Sequence, residues 1–346
     1  MYMIKIADIA KKMNLSKATV SNALTGTGRM KPATRAAVIK CAEESGYVPT
    51  KRSNKQPKKK LIVITEDIRI TFISHILEGI RKEAVENNLY LPIYNLGILD
   101  GILNREGYTI PKVSVLNRAV TSILDTIDET VTGIIYVSQY PRPINGLMDD
   151  ISIPSVCVLC TRSDGAPFVH YDDRQGAYLA VETLIRSGCR HIAMISGQID
   201  SIGMIHRTNG YQRALVDHGL VFDPSLLKIG DWKIASGYEI TKSLLTEGKT
   251  IDSIFAQNDS MAIGAMHAIS EANLSIPGDI SVVGFDNSYI SSVCIPTLSS
   301  LAPPYEKMGH TALRTLLAIH DKKKPDCESI FIPCELVHRN STRCNE

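Results

Sequence analysis

Residues 4–49 read IKIADIAKKMNLSKATVSNALTGTGRMKPATRAAVIKCAEESGYVP, and this stretch decides the fold of the amino-terminal part of the chain. Apolar residues at helical spacing predict one helix over residues 6–13 and a second over residues 17–24. Asn14 tolerates the left-handed turn that ends a helix, and Ser16 is the expected N-cap of the second helix. Two short helices joined by three or four residues form a helix-turn-helix, and the sequence predicts this motif.

A third helix is expected to complete a small bundle. It is predicted to run from Pro32, which suits the first turn of a helix, to Ser45, with Gly46 as the terminator. The residues expected to face the shared core come from the second and third helices, and they are Val20, Ala23, Leu24, Ala36, Val38, Ile39 and Ala42.

The opposite face of the second helix carries side chains that can bind DNA. A recognition helix contacts base edges mainly from its first residues. Lys17 can donate to guanine, Asn22 can form two hydrogen bonds with adenine, and Ala18 can touch only a thymine methyl group. Short hydroxyls suit phosphate oxygens, which position a protein without specifying sequence, and here they belong to Ser16, Thr19 and Ser21.

The charge is divided unevenly along the 346 residues, although the formal net charge is only +2. Residues 1–60 hold 14 Lys or Arg against 3 Asp or Glu, whereas the other 286 residues hold 24 against 33. This division indicates a basic module for a polyanion, joined to an acidic body. A solvated lysine-rich tail is the alternative, but residues 4–48 have the pattern of a folded unit.

The composition excludes several classes of protein. With 44% hydrophobic and 21% charged residues, the chain is neither disordered nor collagen-like. It has no run of about 20 apolar residues, and lysines replace the apolar segment of a signal peptide, so we expect neither a membrane protein nor a secreted one. Catalytic and nucleotide-binding motifs are absent and the histidines do not cluster, so no enzyme activity, cofactor or metal is expected.

From Leu61 onward, short apolar runs alternate with helical patterns. The runs expected to be buried strands are 61–65, 132–138, 154–160, 191–196, 253–257 and 280–285. Such alternation predicts parallel sheets covered on both faces, and about ten strands suggest two doubly wound α/β lobes with a ligand cleft between them. Cys157 and Cys160 form a C-x-x-C pair, which suggests zinc or redox chemistry. Because the pair lies within a predicted strand, buried core thiols are the preferred interpretation.

The string over residues 4–49 resembles the DNA-binding headpiece of the lactose-repressor (LacI) family of bacterial transcription regulators. The strings HYDDRQGAYLAVETLIRSGCRHIAMISG, HRTNGYQRAL, GDWKIASGYE, IFAQNDSMAIGAM, IPGDISVVGFDNS and PCELVHRNST resemble its effector-binding core, which has the fold of type I periplasmic sugar-binding proteins. The resemblance implies a headpiece over 1–49, a basic linker over 50–60 and a core over 61–340. It places the first lobe at about 61–158 and 290–319, and the second at about 159–289 and 320–340.

The same resemblance assigns DNA contacts. It implies base reading by Lys17, Ala18 and Asn22, phosphate contacts by Thr19, Ser21, Thr25, Thr34 and Tyr47, and a place near the groove edge for Arg29. The family usually has Arg where this chain has Asn22, so the preferred base at that position should differ. The linker TKRSNKQPKKK lacks the family's leucine wedge, and six of residues 51–60 are Lys or Arg, so we expect a flexible basic tether.

For the effector, the resemblance implies a pocket of five residues. Arg207 would grip ligand oxygens, with a surface salt bridge as the alternative. Trp232 would stack on a sugar ring, with ordinary packing as the alternative. Asn258 and Asp286 follow strands and would bind hydroxyls, and Phe72 is an aromatic of the first lobe.

Two departures from the family pattern qualify this pocket. Ile70 and Thr71 replace the usual asparagine-proline, and Cys160 replaces a polar ligand residue. Asp259 is expected to be a helix N-cap rather than a ligand group, and Asp172 and Asp173 to lie in a loop and helix start below the cleft.

The expected function is a sequence-specific transcription regulator, most simply a repressor, acting as a homodimer on two-fold symmetric operator DNA. A mono- or disaccharide is the expected effector, and the bacterial cytoplasm, on the nucleoid, the expected location. A constitutive DNA-binding protein with a vestigial cleft is the alternative. A sugar-binding enzyme or transport receptor would need a catalytic pair or a signal sequence.

Overall fold

A computed structural model describes residues 4–25, 30–45, 47, 60–98, 103–104, 107–108, 113–126, 131–149, 151–321 and 329–343. The chain divides into two compact units, Met1–Lys58 and Lys59–Glu346. The predicted linker over 50–60 lies outside the described residues except for Lys60, which begins a strand.

The first unit is a three-helix bundle. Its helices are Ile6–Lys12 (α1), Lys17–Thr25 (α2) and Pro32–Glu44 (α3). Asn14 has the predicted left-handed conformation, with φ 52°. The Ser16 hydroxyl accepts a hydrogen bond from the backbone N–H of Thr19 at 3.0 Å, which confirms it as the N-cap of α2. The bundle closes around six buried side chains, which are Ile9, Ala10, Val20, Ala23, Val38 and Ala42.

Only two of the four residues predicted to form the inner face of α3 are buried. Val38 and Ala42 are buried, but Ala36 is exposed and Ile39 is 39% exposed. Val38 and Ala42 are four residues apart and therefore share one face of the helix, whereas positions 36 and 39 are rotated away from it. Cys41 completes the inner face, since it packs against the same cluster.

The second unit is built of strands and helices that alternate along much of its length. Its elements up to residue 171 are Lys60–Thr65 (β1), Thr71–Glu86 (α4), Ile93–Asn95 (β2), Leu103–Asn104 (β3), Gly107–Tyr108 (β4), Val113–Thr126 (α5), Val131–Pro143 (β5), Ser155–Thr161 (β6) and Phe168–Tyr171 (β7). Those that follow are Asp173–Arg186 (α6), Ile192–Ser196 (β8), Ile202–Asp217 (α7), Leu227–Ile229 (β9), Ile234–Thr246 (α8), Ser253–Ala256 (β10), Asp259–Glu271 (α9), Ser281–Phe285 (β11), Tyr289–Val293 (α10), Ser299–Ala302 (β12), Tyr305–His320 (α11), Ser329–Ile332 (β13) and Glu335–Val337 (β14).

These strands form two six-stranded sheets, which confirms the two predicted α/β lobes. The first sheet has the order β13-β7-β6-β5-β1-β2, and the second β14-β12-β11-β10-β8-β9. Every pairing in the first sheet is parallel, and in the second only β12 and β14 pair antiparallel. Strands β3 and β4 make a separate antiparallel hairpin. In both lobes the central strands are buried along most of their length, as parallel sheets under helices require.

The chain passes between the lobes three times. It leaves the first sheet after β7, returns from β12 into α11, which packs on α4, and then adds β13 to the first sheet and β14 to the second.

The predicted boundary between residues 158 and 159 falls inside β6, a strand that belongs wholly to the first sheet. The other two predicted boundaries are also displaced, since 290–319 includes β12 of the second sheet and 320–340 includes β13 of the first.

Strand β6 contains the C-x-x-C pair. Residues three apart on a regular strand face opposite sides, but Leu159 has φ 61° and turns the strand at that point. Cys157 and Cys160 are therefore both fully buried in the same apolar cluster. The Cys160 thiol donates to the backbone carbonyl of Val158 at 3.6 Å. Burial raises the pKa of Cys160 well above its ordinary value.

Candidate DNA-binding face and effector cleft

The outer face of α2 carries the residues predicted to read bases. Lys17, Ala18 and Asn22 are exposed, while Val20 and Ala23 on the opposite face are buried. Since the buried pair fixes the rotation of the helix, the polar face is presented by packing rather than by a flexible segment. This arrangement matches the use of a recognition helix in the major groove.

The predicted phosphate contacts are less uniform. The hydroxyls of Ser16 and Thr19 bond to each other at 2.8 Å, so both also serve the helix terminus. Thr34 is half-buried, and Tyr47 packs against the helical core, with its backbone N–H donating to Ala42 at 2.9 Å. Ser21 is half-buried on α2. Arg29 and the side chain of Thr25 lie outside the described residues.

Arg207 forms the centre of the cleft-side cluster in the second unit. It lies on α7 and is only 5% exposed. Its Nε donates to Asp173 Oδ1 at 2.7 Å, its Nη2 donates to the hydroxyl of Tyr171 at 3.1 Å, and its Nη1 donates to the backbone carbonyl of Gln257. The surface salt bridge that was the alternative for this residue is therefore excluded by its burial.

The guanidinium of Arg207 contacts aromatic rings and pairs with a buried carboxylate. The guanidinium carbon lies 3.6 Å from the ring centre of Phe285 and 5.8 Å from that of Trp232. Burial alone would lower the pKa of Arg207, but Asp173, Tyr171 and Asp286 together more than offset this effect and raise the pKa. Asp173 begins α6, as the predicted helix start requires, and its carboxylate also belongs to the Arg207 cluster. Asp172 is the N-cap of α6, as its loop position predicted.

Asp286 is the acidic group of the cluster that is least constrained. It follows β11 with φ 106°, and its Oδ1 lies 3.9 Å from Arg207 Nη1, beyond hydrogen-bond distance. The Asp286 side chain is 37% exposed, but its loss of hydration beside the cluster raises the pKa of Asp286 to about 7. Arg207 opposes this shift, whereas the carboxylates of Asp259 and Asp173 add to it.

The carboxyl-terminal string fixes the turn that carries Asp286. Arg339 Nη2 donates to Asn287 Oδ1 at 2.6 Å, and its Nη1 donates to the Leu298 carbonyl at 2.6 Å and to Ser291 Oγ at 3.0 Å. Asn287 also has a positive φ of 46°. Arg339 of the string HRNST therefore holds this turn in place.

Asn258 and Trp232 are bonded to each other. Asn258 caps α9 by accepting the Met261 N–H at 2.9 Å, and its Nδ2 donates to the Trp232 carbonyl at 2.9 Å. The N-cap is therefore Asn258, and the prediction of Asp259 for this role is wrong. Asp259 instead is 1% exposed and accepts hydrogen bonds from Ser300 and Ser288.

Trp232 lies against a bare stretch of backbone. Its φ is 72°, and a Cβ atom placed on Gly197 would lie 1.8 Å from the indole ring. Only glycine permits this close approach. The ring also packs against the apolar cluster of the second lobe, so packing and ligand stacking are compatible roles.

Phe72 belongs to a row of rings that spans both lobes. It stacks on Tyr305 at 4.9 Å and 16°, and Tyr305 meets Tyr171 edge to face at 5.9 Å. Tyr171 in turn lies 6.1 Å from Phe285, the ring under Arg207. The sequence analysis missed Tyr171, Tyr305 and Phe285. The two aromatic residues Tyr171 and Phe285 directly follow or end apolar strands, which is the signal that could have found them.

No metal centre is evident in the part of the chain described here, since no three His, Cys, Asp or Glu side chains are placed to hold an ion. Within the same residues, no helix is both long and apolar enough to span a bilayer.

The comparisons with known proteins agree with both units. Residues 5–50 match the bacterial regulatory proteins of the lacI family, and residues 181–342 match the periplasmic binding protein-like domain. Catabolite control protein A of Priestia megaterium is 30% identical, over 98% of this chain and 99% of that protein. The HTH-type transcriptional regulator RegA of Clostridium saccharobutylicum is 31% identical, over 97% and 98%. The Lac repressor dimer bound to operator and the anti-inducer ONPF has the same fold, with a TM-score of 0.67, 24% identity and coverage of 99% and 100%.

These findings define the class as a DNA-binding transcriptional regulator with a helix-turn-helix unit and a periplasmic-binding-protein-like core. The chain belongs to the lacI family of bacterial regulatory proteins. Its relatives are transcriptional regulators rather than enzymes, as the sequence predicted.

Proposed function

We propose that this regulator is a repressor, acting in the bacterial cytoplasm on the nucleoid, whose affinity for its operator is set by an uncharged sugar bound between the two lobes. One observation carries the proposal. Arg207, Asp286 and Trp232 meet at one place, where a guanidinium, a carboxylate and an aromatic face lie within a few ångströms. Sugars are bound by this combination of hydrogen-bonding groups and a stacking ring.

For the DNA half of the function we assign base reading to Lys17, Ala18 and Asn22 on the exposed face of α2. Phosphate contacts are assigned to Ser16, Thr19, Ser21, Thr25, Thr34 and Tyr47, and a groove-edge contact to Arg29. A homodimer would place two such units on a two-fold symmetric operator. The Lac repressor, which shares the fold, is a dimer on its operator.

The link between sugar and operator would be the angle between the lobes. Phe72 and Tyr305 stack in one part of the ring row, and Tyr171 and Phe285 continue it toward Arg207. A ligand that binds one lobe arrangement better than another shifts the population toward it. In a dimer, that shift changes the spacing of the two DNA-binding units.

A constitutive regulator with a vestigial cleft is the second candidate, and one observation favours it. The oxygen of the Asn258 amide already accepts a hydrogen bond from Met261, and its nitrogen donates one to Trp232. Arg207 likewise donates hydrogen bonds to three groups of the protein. A ligand would have to compete with these bonds. In this candidate the cluster only stabilises the fold.

A thermal-unfolding screen against uncharged mono- and disaccharides separates the two candidates. We expect one sugar to stabilise the full chain by about 2.7 kcal/mol at 100 times its dissociation constant, and to lower operator affinity at that concentration. Trp232→Leu should abolish the stabilisation, because it removes the stacking face while retaining apolar volume. Tyr90→Ala is the matched control, since Tyr90 is 87% exposed and lies outside the Arg207 cluster. Stabilisation by no sugar, with operator binding intact, would favour the constitutive candidate.

The pKa of Asp286 makes sugar binding depend on pH. A hydroxyl of the ligand donates best to the ionised carboxylate, which with a pKa of about 7 is about one-tenth populated at pH 6 and nine-tenths at pH 8. The dissociation constant of the best sugar should therefore fall about tenfold from pH 6 to pH 8, measured by calorimetry. Asp286→Asn should remove this dependence. An equal pH dependence in that variant would assign the effect to another group.

A further inference from the structure

The two lobes are joined by three chain segments that lie side by side. We call residues 171–173 the first crossing, 302–305 the second and 332–335 the third, in their order along the chain. The first and third crossings meet at the end of the β7–β13 ladder, and the second and third meet where Ala302 pairs with Glu335. The third crossing therefore lies between the other two, and a rotation of the lobes must change the backbone of all three.

Prolines limit where such a rotation can take place. Proline fixes its own φ and restricts the backbone of the residue before it. The second crossing contains Pro303 and Pro304, and the third contains Pro333. Asp172 in the first crossing and Cys334 in the third lie outside strands and helices and are not restricted in this way. We therefore expect the backbone to turn mainly at these two residues.

Gln175 connects these two residues. Its backbone N–H donates to Asp172 Oδ1 at 2.9 Å. Its side-chain Oε1 accepts the backbone N–H of Cys334 at 2.9 Å, and its Nε2 donates to the Cys334 carbonyl at 3.4 Å. Cys334 lies between two ladders, since β13 ends at Ile332 and β14 begins at Glu335. The amide of Gln175 thus pairs with the backbone of Cys334 as a neighbouring strand would.

The first turn of α6 packs closely against the third crossing. A Cβ atom placed on Gly176 would lie 3.2 Å from the Cβ of Cys334 and 2.9 Å from Cε2 of Phe285. Glycine at this position lets the helix approach the crossing without a side chain between them. This contact and the N-cap bond to Asp172 together fix the position of Gln175.

The first crossing also reaches Arg207. The Tyr171 hydroxyl accepts Arg207 Nη2 at 3.1 Å, and Asp173 Oδ1 accepts Arg207 Nε at 2.7 Å. Arg207 and Gln175 are thus joined through the short segment 171–175. A change in the bonding of Arg207 can therefore act on the first and third crossings through neighbouring residues of one chain segment.

We propose that Gln175 is a positioning residue that clamps the first and third crossings together and so sets the angle between the lobes in the free chain. It acts through the backbone of Cys334, and this role needs no ligand contact. The consequence for DNA rests on the proposed function, in which the angle between the lobes controls the spacing of the DNA-binding units. The clamp itself does not depend on the identity of the effector.

Gln175→Met tests the clamp by hydrogen–deuterium exchange of the full chain, followed by mass spectrometry. Methionine has a similar length, but it cannot donate to the Cys334 carbonyl and is only a weak acceptor. The reporter is the backbone N–H of Asp172, which donates to the Ile332 carbonyl at 2.9 Å, a bond that does not include the Gln175 side chain. We expect this N–H to exchange about fivefold faster, because the clamp protects it. Exchange in β8, within the core of the second lobe, should stay the same.

Thr183→Val is the matched control. Thr183 lies on the same helix, and its hydroxyl donates to the Leu179 carbonyl at 2.8 Å, away from the crossings. Its loss should leave exchange at Asp172 unaltered. Gln175→Glu is a second variant of the clamp, which retains the acceptor for the Cys334 N–H and loses the donor. Its exchange should lie between those of Gln175→Met and the unaltered chain, and it tests the clamp if the methionine variant does not fold.

Operator affinity is measured on a DNA duplex that the unaltered chain selects from a random-sequence pool. In the proposed function the free chain is the operator-binding form, so a looser clamp that populates other lobe angles should lower the affinity, by about fivefold in Gln175→Met. Thr183→Val should bind as the unaltered chain does.

Faster exchange at Asp172 in Gln175→Met, but not in Thr183→Val, supports the clamp. Equal exchange in all variants overturns the clamp, whatever the operator affinity. Faster exchange with unchanged operator affinity supports the clamp and contradicts the proposed control of operator binding by the lobe angle.

Discussion

Replacing Arg207 with methionine is expected to lower the free energy of unfolding of the core by about 3–5 kcal/mol. The change leaves Asp173, whose side chain is only 2% exposed, without its cationic partner. It also removes the donors to the Tyr171 hydroxyl and to the Gln257 carbonyl. An unpaired buried charge is among the most destabilising changes known in proteins. Urea unfolding followed by circular dichroism measures the loss.

The double variant Arg207→Met with Asp173→Asn tests the cause. If the unpaired carboxylate dominates the loss, the added asparagine should restore part of the stability of the single variant. The loss should also be smaller at pH 5 than at pH 8. Burial already raises the pKa of Asp173, and without Arg207 the carboxylate would take up a proton more readily. A loss below about 1 kcal/mol at pH 8 would contradict the description of Arg207 as a buried, fully engaged cation.

Gly309→Ala is expected to cost about 2–3 kcal/mol. A Cβ atom at Gly309 on α11 would lie 2.0 Å from the Ile76 carbonyl oxygen of α4, and one at Gly79 on α4 would lie 1.9 Å from the Glu306 carbonyl oxygen. The two helices thus cross backbone to backbone, with one glycine on each. Because backbone cannot move aside as a side chain can, the helices would have to separate.

Gly203→Ala is the control for that prediction. Gly203 lies in α7, and its added Cβ would meet the nearest atoms at 3.7 Å, an ordinary contact. Alanine is the better helix former, so this change should be neutral or stabilising by up to about 1 kcal/mol. Equal effects of the two substitutions, measured as shifts of the urea midpoint, would show that the close crossing of α4 and α11 is not the cause.

Local patterns predicted the elements well. Ser16 caps α2 and Asn14 adopts the left-handed conformation, as predicted, because both features depend on neighbouring residues. The buried strands were found because continuous apolar runs mark parallel sheets. Leu159 was not foreseen to turn β6, since its positive φ is imposed by the surrounding sheet and not by its residue type.

Long-range contacts were harder to predict. Arg207 and Trp232 were identified through family strings, but the partner that neutralises Arg207 is Asp173, 34 residues away on another helix. Glu66 and Arg142 form a buried ion pair across 76 residues. No periodicity encodes such pairs, because they arise only when separate strands end at one edge. The three passages between the lobes have the same origin, since sheet membership depends on which strands become neighbours.

The position of Trp232 has a spectroscopic consequence. It is the only tryptophan in 346 residues, and its ring centre lies 5.8 Å from the guanidinium of Arg207. The intrinsic emission excited at the red edge of protein absorbance therefore originates at one spot beside a positive charge. The unlabelled protein thus carries its own optical reporter. Changes in the fluorescence of Trp232 report changes in solvent access and electric field at that position, and no other tryptophan contributes to the signal.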